Sequence, residues 1–280
     1  MTFEQIIKDI DSLPPLSNAA HIVQSLYAGG VEHINISKLV RVIESDAMLS
    51  VNILKMINSP YYGMTKQISS ISQAVSLLGV QEIYMLVIHY AISQKLKADP
   101  SIYGFTNAQF NDVCQLQGRL MLKWCSKINV KDAQFLTPLA LMMESGKLIL
   151  AKEVIKSDYC GEFRKSFNEC EDIQKYEKGL IGKTSYALTA MLFSHWNLES
   201  KYVEILKLLD ATQDELKEKK TDEKIIAYIQ KIKVVRESIN VKEILTNNAI
   251  KKSMKLVHQL GEDTNHFKEV ALELRKSYLK

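Results

Sequence analysis

Apolar residues recur at spacings of three and four along nearly the whole chain, as in Ile6, Ile7 and Ile10 or Val40 and Ile43. Strand-like alternation is absent. That period gathers apolar side chains on one face of an α-helix, so the sequence specifies an all-helical protein. With 46% hydrophobic and 24% charged residues among 280, there is enough apolar material for one large core or two modest ones. No apolar run reaches the ~20 residues that span a bilayer, and the start MTFEQIIKDIDSLPP lacks the basic and apolar parts of a signal peptide, so a cytoplasmic protein with no membrane partner is expected.

Proline and glycine mark where the helices should stop. A first helix over 2–11 ends at Leu13-Pro14-Pro15-Leu16, because proline holds its predecessor away from the helical region. Ser17 caps a second helix to Tyr27, closed by Gly29-Gly30; Ser37 opens a third and Ser45-Asp46 a fourth, which stops at Asn58-Ser59-Pro60. Ser70 and Gln73 have capping-box spacing ahead of a helix that closes at Gly79, and a largely apolar, buried helix follows over 80–97. Asp99-Pro100 and Gly104 form the clearest internal boundary. Thr106 caps a helix to Ile128, and one long helix is expected over 132–156, bent around Ser145-Gly146. Helices at 159–170, 172–180, 184–197 and 201–209 lead to a tail of three, at 213–239, 241–260 and 264–280. The expected organisation is an N-terminal helical half (1–100), a helical core (101–210) and a C-terminal helical extension (211–280).

The net charge of +4 lies wholly in 201–280. A basic tail can meet nucleic acid, but interleaved signs such as Asp222-Glu223-Lys224 are the pattern of a solvated helix face, and nucleic acid is not the expected partner. The four cysteines show no C-x-x-C pair, and no two of the six histidines stand three or four apart, so neither a disulfide, a zinc site nor a two-histidine helix face is expected. No glycine-rich phosphate loop and no Ser-His-Asp or Cys-His arrangement is recognisable. No cofactor is expected.

Several separated stretches resemble one family in the right order. Leu13-Pro14-Pro15-Leu16, the run from Ser45-Asp46-Ala47 to Leu54, the turn Asn58-Ser59-Pro60-Tyr61-Tyr62-Gly63, and Ile68-Ser69-Ser70-Ile71 with Ala74-Val75 and Leu77-Leu78-Gly79 are similar to signatures of the HDOD (HD-related output domain) family. The stretch LALMMESGKLILAKE, 139–153, resembles the central helix of the HD phosphohydrolase superfamily, in which Leu-Leu-His-Asp-Ile-Gly-Lys-Leu carries a metal-binding His-Asp pair. Gly146, Lys147 and Leu148 fit that pattern, and Met143 and Glu144 occupy the His-Asp positions. The resemblance puts the remaining ligand positions at Val113, at Ser185 and around Leu208, Leu209 and Asp210. A thioether does not replace imidazole for a hard or borderline divalent ion, so the metal set that activates water is expected to be lost and no metal site is expected.

The resemblance implies an HD-domain-like helical bundle, with an extra N-terminal half and C-terminal helices, working in bacterial signal transduction as a pseudo-enzyme rather than an enzyme. It implies a signalling protein as partner, with a small ligand as a further possibility. Two other readings stand beside it: a metal-dependent phosphohydrolase with a rearranged site at Glu144, and an adaptor using the basic tail. Glu144 and Lys147, three apart, are placed to form a local ion pair; a weak cation held by Glu144 with Asp112 or His195 is the less favoured alternative. Asn58 and Ser59 are expected to cap a helix end, and together with Tyr61 and Tyr62, and with Lys147 in the old cleft, they are candidates for a partner or ligand surface. The methionines, among them Met48, Met56, Met64, Met85, Met142 and Met143, are read as core fillers.

Overall fold

The computed structural model describes residues 2–27, 33–59, 62 and 64–279; Gly29, Gly30, Tyr61 and Gly63 are outside the described residues. Among those described, every regular element is a helix, and extended pairing is confined to an isolated antiparallel bridge between Ile239 and Ile244. The chain begins with α1 (Phe3–Asp11), followed by α2 (Asn18–Tyr27), α3 (Ile36–Glu44), α4 (Ala47–Ile57), α5 (Ile71–Leu78) and α6 (Val80–Leu96). After a short 3-10 turn at Pro100–Tyr103 come α7 (Asn107–Cys125), α8 (Val130–Met142), α9 (Ser145–Lys156), α10 (Cys160–Glu169), α11 (Ile173–Ile181), α12 (Ser185–His195) and α13 (Ser200–Leu208). The last four are α14 (Gln213–Glu218), α15 (Glu223–Ser238), α16 (Asn247–Gln259) and α17 (Thr264–Tyr278).

These helices form two compact units: Pro14–Lys97, and Met1–Leu13 together with Ala98–Lys280. Thus α1 belongs with the helices after residue 98, and so do α14–α17. In the 14–97 unit, α6 packs against α2, α4 and α5 and buries an unbroken Met85-Leu86-Val87-Ile88 run. Caps start these helices: Asp46 Oδ1 accepts from the Leu49 amide at 3.0 Å, and Ser70 Oγ from the Gln73 amide at 3.1 Å. The expected capping box at Ser70 is half made, because Gln73 Oε1 reaches past Ser70 to the Ser69 amide at 3.1 Å. The third helix is opened by Asn35, whose Oδ1 accepts from the Lys38 amide at 2.9 Å, two residues before the expected Ser37. Met48 is a second departure: at 66% exposure it faces solvent on α4, whereas Met85, Met142 and Met143 fill the core.

In the larger unit the expected single helix over 132–156 is two helices, broken at Met143-Glu144. The hydroxyl of Thr189 on α12 causes the break to be satisfied: it donates to the Met143 carbonyl at 2.7 Å and accepts from the Gly146 amide at 2.9 Å, taking over helical partners on both sides. Gly146 is what lets α12 come so near. A Cβ there would overlap the Ser185 carbonyl oxygen and lie 2.8 Å from the Thr189 amide nitrogen.

The tail differs from expectation in the same manner. The helix expected over 213–239 is interrupted at Lys219–Asp222, where Lys220 takes φ 49° and Asp222 caps the next helix through the amides of Lys224 and Ile225. The helix expected from 241 starts at Asn247, after a turn in which the Leu245 amide donates to the Ser238 carbonyl at 2.9 Å. These helices cover the core of their unit: Tyr228 stacks on Phe135 with centroids 5.1 Å apart, and Phe267 meets Trp124 edge-on at 5.4 Å.

Candidate functional site

The break between α8 and α9 turns Glu144 and Lys147 into the interior of the larger unit, where both are 0% exposed. Lys147 Nζ lies 3.1 Å from Glu144 Oε2 and 3.2 Å from Oε1 of Glu177, and donates to Ser185 Oγ at 2.7 Å. The local ion pair expected from spacing is therefore present and extended by a second carboxylate on α11. Burial alone would push the Lys147 amine down, but the two carboxylates outweigh it and hold its pKa above the usual lysine range, so the ammonium persists.

Each carboxylate is tied further. Glu144 Oε1 accepts from Gln117 Nε2 on α7 at 2.9 Å and from the Tyr186 hydroxyl at 3.2 Å. Glu177 Oε2 accepts from the Ser185 amide, at the first residue of α12, at 2.7 Å, where the helix N-terminus also favours negative charge. A second pair borders this network: Asp210 accepts from Arg236 Nη1 and from Thr184 Oγ1, both at 2.7 Å. The Tyr186 ring joins the two, with Lys147 Nζ at 4.8 Å and the Arg236 guanidinium at 5.5 Å from its centroid.

The structure thus joins three of the positions singled out in the sequence, Glu144, Lys147 and Ser185, and places a fourth, Asp210, in the bordering pair. Met143 takes part through its backbone carbonyl only. Val113 is buried on α7 one turn before Gln117 and offers no polar atom. Lys147, a candidate for a ligand or partner surface, is corrected here: a fully buried ammonium with two carboxylate partners cannot present itself to a partner. The alternative of a cation held by Glu144 with Asp112 or His195 finds no support either, since the Glu144 oxygens go to Lys147, Gln117 and Tyr186, and His195 Nε2 stands 2.9 Å from the Leu13 carbonyl.

A divalent ion does not fit this donor set. Among the described residues no group of three or more His, Cys, Asp or Glu is placed to hold one, and the two buried carboxylates already share an ammonium. Thiol chemistry is equally disfavoured. Burial drives the Cys114 thiol well above its ordinary value, with the Glu144 charge adding, and pushes Cys125 up to about 12.

Sequence reasoning missed Glu177, Gln117, Tyr186 and Arg236. Two of them had a signal: Glu177 stands midway between Ile173 and Ile181 at four-residue spacing, and Gln117 lies on the apolar face of α7 with Val113, Cys114 and Met121. A polar residue in a buried stripe needs a partner, and here each has one.

In the 14–97 unit, Asn58 Nδ2 donates to the carbonyls of Leu54 at 2.9 Å and Ile68 at 2.8 Å, while its Oδ1 accepts from the Ile68 amide at 2.8 Å. Ser59 Oγ donates to the Met56 carbonyl at 2.7 Å, so both residues have the capping work expected of them. Tyr62 is half-buried, its hydroxyl donating to Glu82 Oε1 at 2.7 Å. Tyr61, the other aromatic candidate, lies outside the described residues.

The HDOD domain family matches residues 13–211, the span that holds the whole Asn58 turn, the α8–α9 break and α12. The chain belongs to the HDOD family. Solved structures share the fold at low identity. An HDOD domain protein from Geobacter sulfurreducens superposes with a TM-score of 0.67 at 15% identity, covering 99% of this chain and 93% of that one. A protein assigned to signal transduction from Marinobacter aquaeolei VT8 gives 0.72 at 18% identity, covering 98% and 62%, and one assigned as a phosphohydrolase from Shewanella amazonensis SB2B gives 0.66 at 17%, covering 97% and 94%. No curated protein matches the chain. No helix among the described residues is long and apolar enough to cross a membrane.

Proposed function

We propose that this HDOD protein is a non-catalytic regulator in signal transduction, acting by binding a signalling protein or a small ligand. The observation that carries the reading is the position of Lys147: its ammonium, within 3.2 Å of Glu144 and Glu177, supplies inside the fold the positive charge that a metal ion would supply. With both carboxylates committed, neither is available to hold a metal or to take a proton from water. Conformational change at the network would then be the output, since one cluster links α7, α9, α11, α12 and α15. The basic-tail reading is weaker, because several tail cations are engaged within the fold: Lys231 with Asp132 at 2.9 Å and Arg236 with Asp210 at 2.7 Å. Phosphatase and phosphodiesterase turnover, assayed with magnesium, manganese and zinc, tests the proposal. No turnover above the uncatalysed rate is expected, and metal-dependent turnover abolished by Glu144→Gln would refute it.

A further inference from the structure

The face of α11 carrying Gln174, Lys175 and Lys178 and the face of α15 carrying Lys233, Arg236 and Glu237 line a cavity of about 530 Å³. That is the size range of small-molecule sites. A smaller cavity of about 320 Å³ shares Glu171, Gln174, Arg236 and Glu237 with it and extends toward Asn240.

The charges around the larger cavity are unevenly satisfied. Asp210 is taken by Arg236 and Thr184, and Asp172 Oδ1 accepts from the Lys175 amide at 2.9 Å as the cap of α11. The lysines are less well served. Lys233 Nζ donates to a neutral carbonyl, that of Ala211, at 3.2 Å, and neither Lys175 nor Lys178 forms an ion pair with a described residue. Arg236 is 9% exposed; its Nη1 pairs with Asp210 at 2.7 Å and its Nη2 with Glu237 at 3.5 Å, while its buried Nε has no hydrogen-bond partner. Burial lowers the Lys233 pKa, and the charges of Arg236 and Lys178 add to it against the opposing carboxylates of Asp210 and Glu237.

We propose that this cavity binds a small organic phosphate, with Lys178, Lys233 and Arg236 receiving the phosphoryl group and Gln174 and Glu237 facing its hydroxyl-bearing body. A phosphate monoester brings about two negative charges and three acceptor oxygens, which suits converging cations better than a single carboxylate does. The space also exceeds what a bare phosphate fills. This deepens the binding reading and rests on it. The ligand would bridge α11 and α15, which supply Glu177 and Arg236 to the buried network, so occupancy would be felt there.

Thermal shift and calorimetric titration of the full chain with ribose 5-phosphate and with inorganic phosphate, against sodium chloride at matched ionic strength, test the site. Saturable binding of ribose 5-phosphate is expected, stronger than that of inorganic phosphate. It should weaken roughly tenfold in Lys178→Gln and in Lys233→Met, each of which removes a charge-assisted contact. Lys178 is exposed, so its variant should fold as the parent does. Shifts no larger than those of chloride, or binding unchanged in both variants, would overturn the site. Inorganic phosphate binding as tightly as the sugar phosphate would overturn the organic body. Phosphorus NMR of the same samples separates the two claims: release of phosphate would refute the non-catalytic reading while leaving the site in place.

Discussion

At the scale of single residues, Lys147 decides the character of the interior. Two carboxylates buried at 0% exposure would be very unfavourable without a cation, and Lys147 is the ammonium set between them. Lys147→Met should therefore destabilise the protein by about 3–5 kcal/mol, the usual effect of stranding buried charge. Adding Glu144→Gln and Glu177→Gln should restore most of the loss; urea unfolding of the single and triple variants checks both. Part of this was legible in the sequence. Gly146-Lys147-Leu148 announced the helix, and the spacing of Glu144 and Lys147 announced their pairing. Glu177 was not read, because its helix is rich in charge and its inward position shows only against Ile173 and Ile181. Arg236 was beyond reach: it comes from 92 residues after Glu144, and no local pattern links them.

At the scale of elements, the helices were legible wherever caps and breakers are strong, as at Asp46, Ser70, Thr106 and Gly79. Boundaries were misplaced where a tertiary partner does the breaking. Nothing local in 132–156 predicts that Thr189 will capture the amide of Gly146 and the carbonyl of Met143. The C-terminal helices show the same dependence on packing, since α15 is held to α8 by Asp132, which accepts from Lys231 Nζ at 2.9 Å and from the Tyr228 hydroxyl at 3.0 Å. Burial raises the Asp132 pKa, but these hydrogen bonds and the charges of Lys231 and Lys224 outweigh it, leaving the group below 3.8. A carboxylate with a depressed folded pKa adds stability that is complete above its unfolded value and is lost as pH falls through the folded one. Stability should thus fall as pH drops below 3.8, and Asp132→Asn should flatten that part of the curve. Urea midpoints measured across the acid range give the comparison.

At the scale of the whole molecule, the HDOD fold holds a buried charge network in its interior. Val113 and Met143 are apolar and buried, Ser185 accepts from Lys147, and the Lys147 ammonium lies between two carboxylates. The extension after residue 211 does more than follow the domain, because Arg236 and the backbone of Ile239 enter the same cluster, the latter accepting from Gln117 Nε2 at 2.9 Å. Ligand or partner binding on α11 or α15 therefore has a physical route to the core. If Lys147 serves as the resident cation, no divalent ion is needed between Glu144 and Glu177, and metal content measures that most directly. Elemental mass spectrometry of untagged protein, purified without chelator, should find divalent metal well below one equivalent per chain. One or two equivalents, lost in Glu144→Gln, would contradict the account and return the site to metal chemistry.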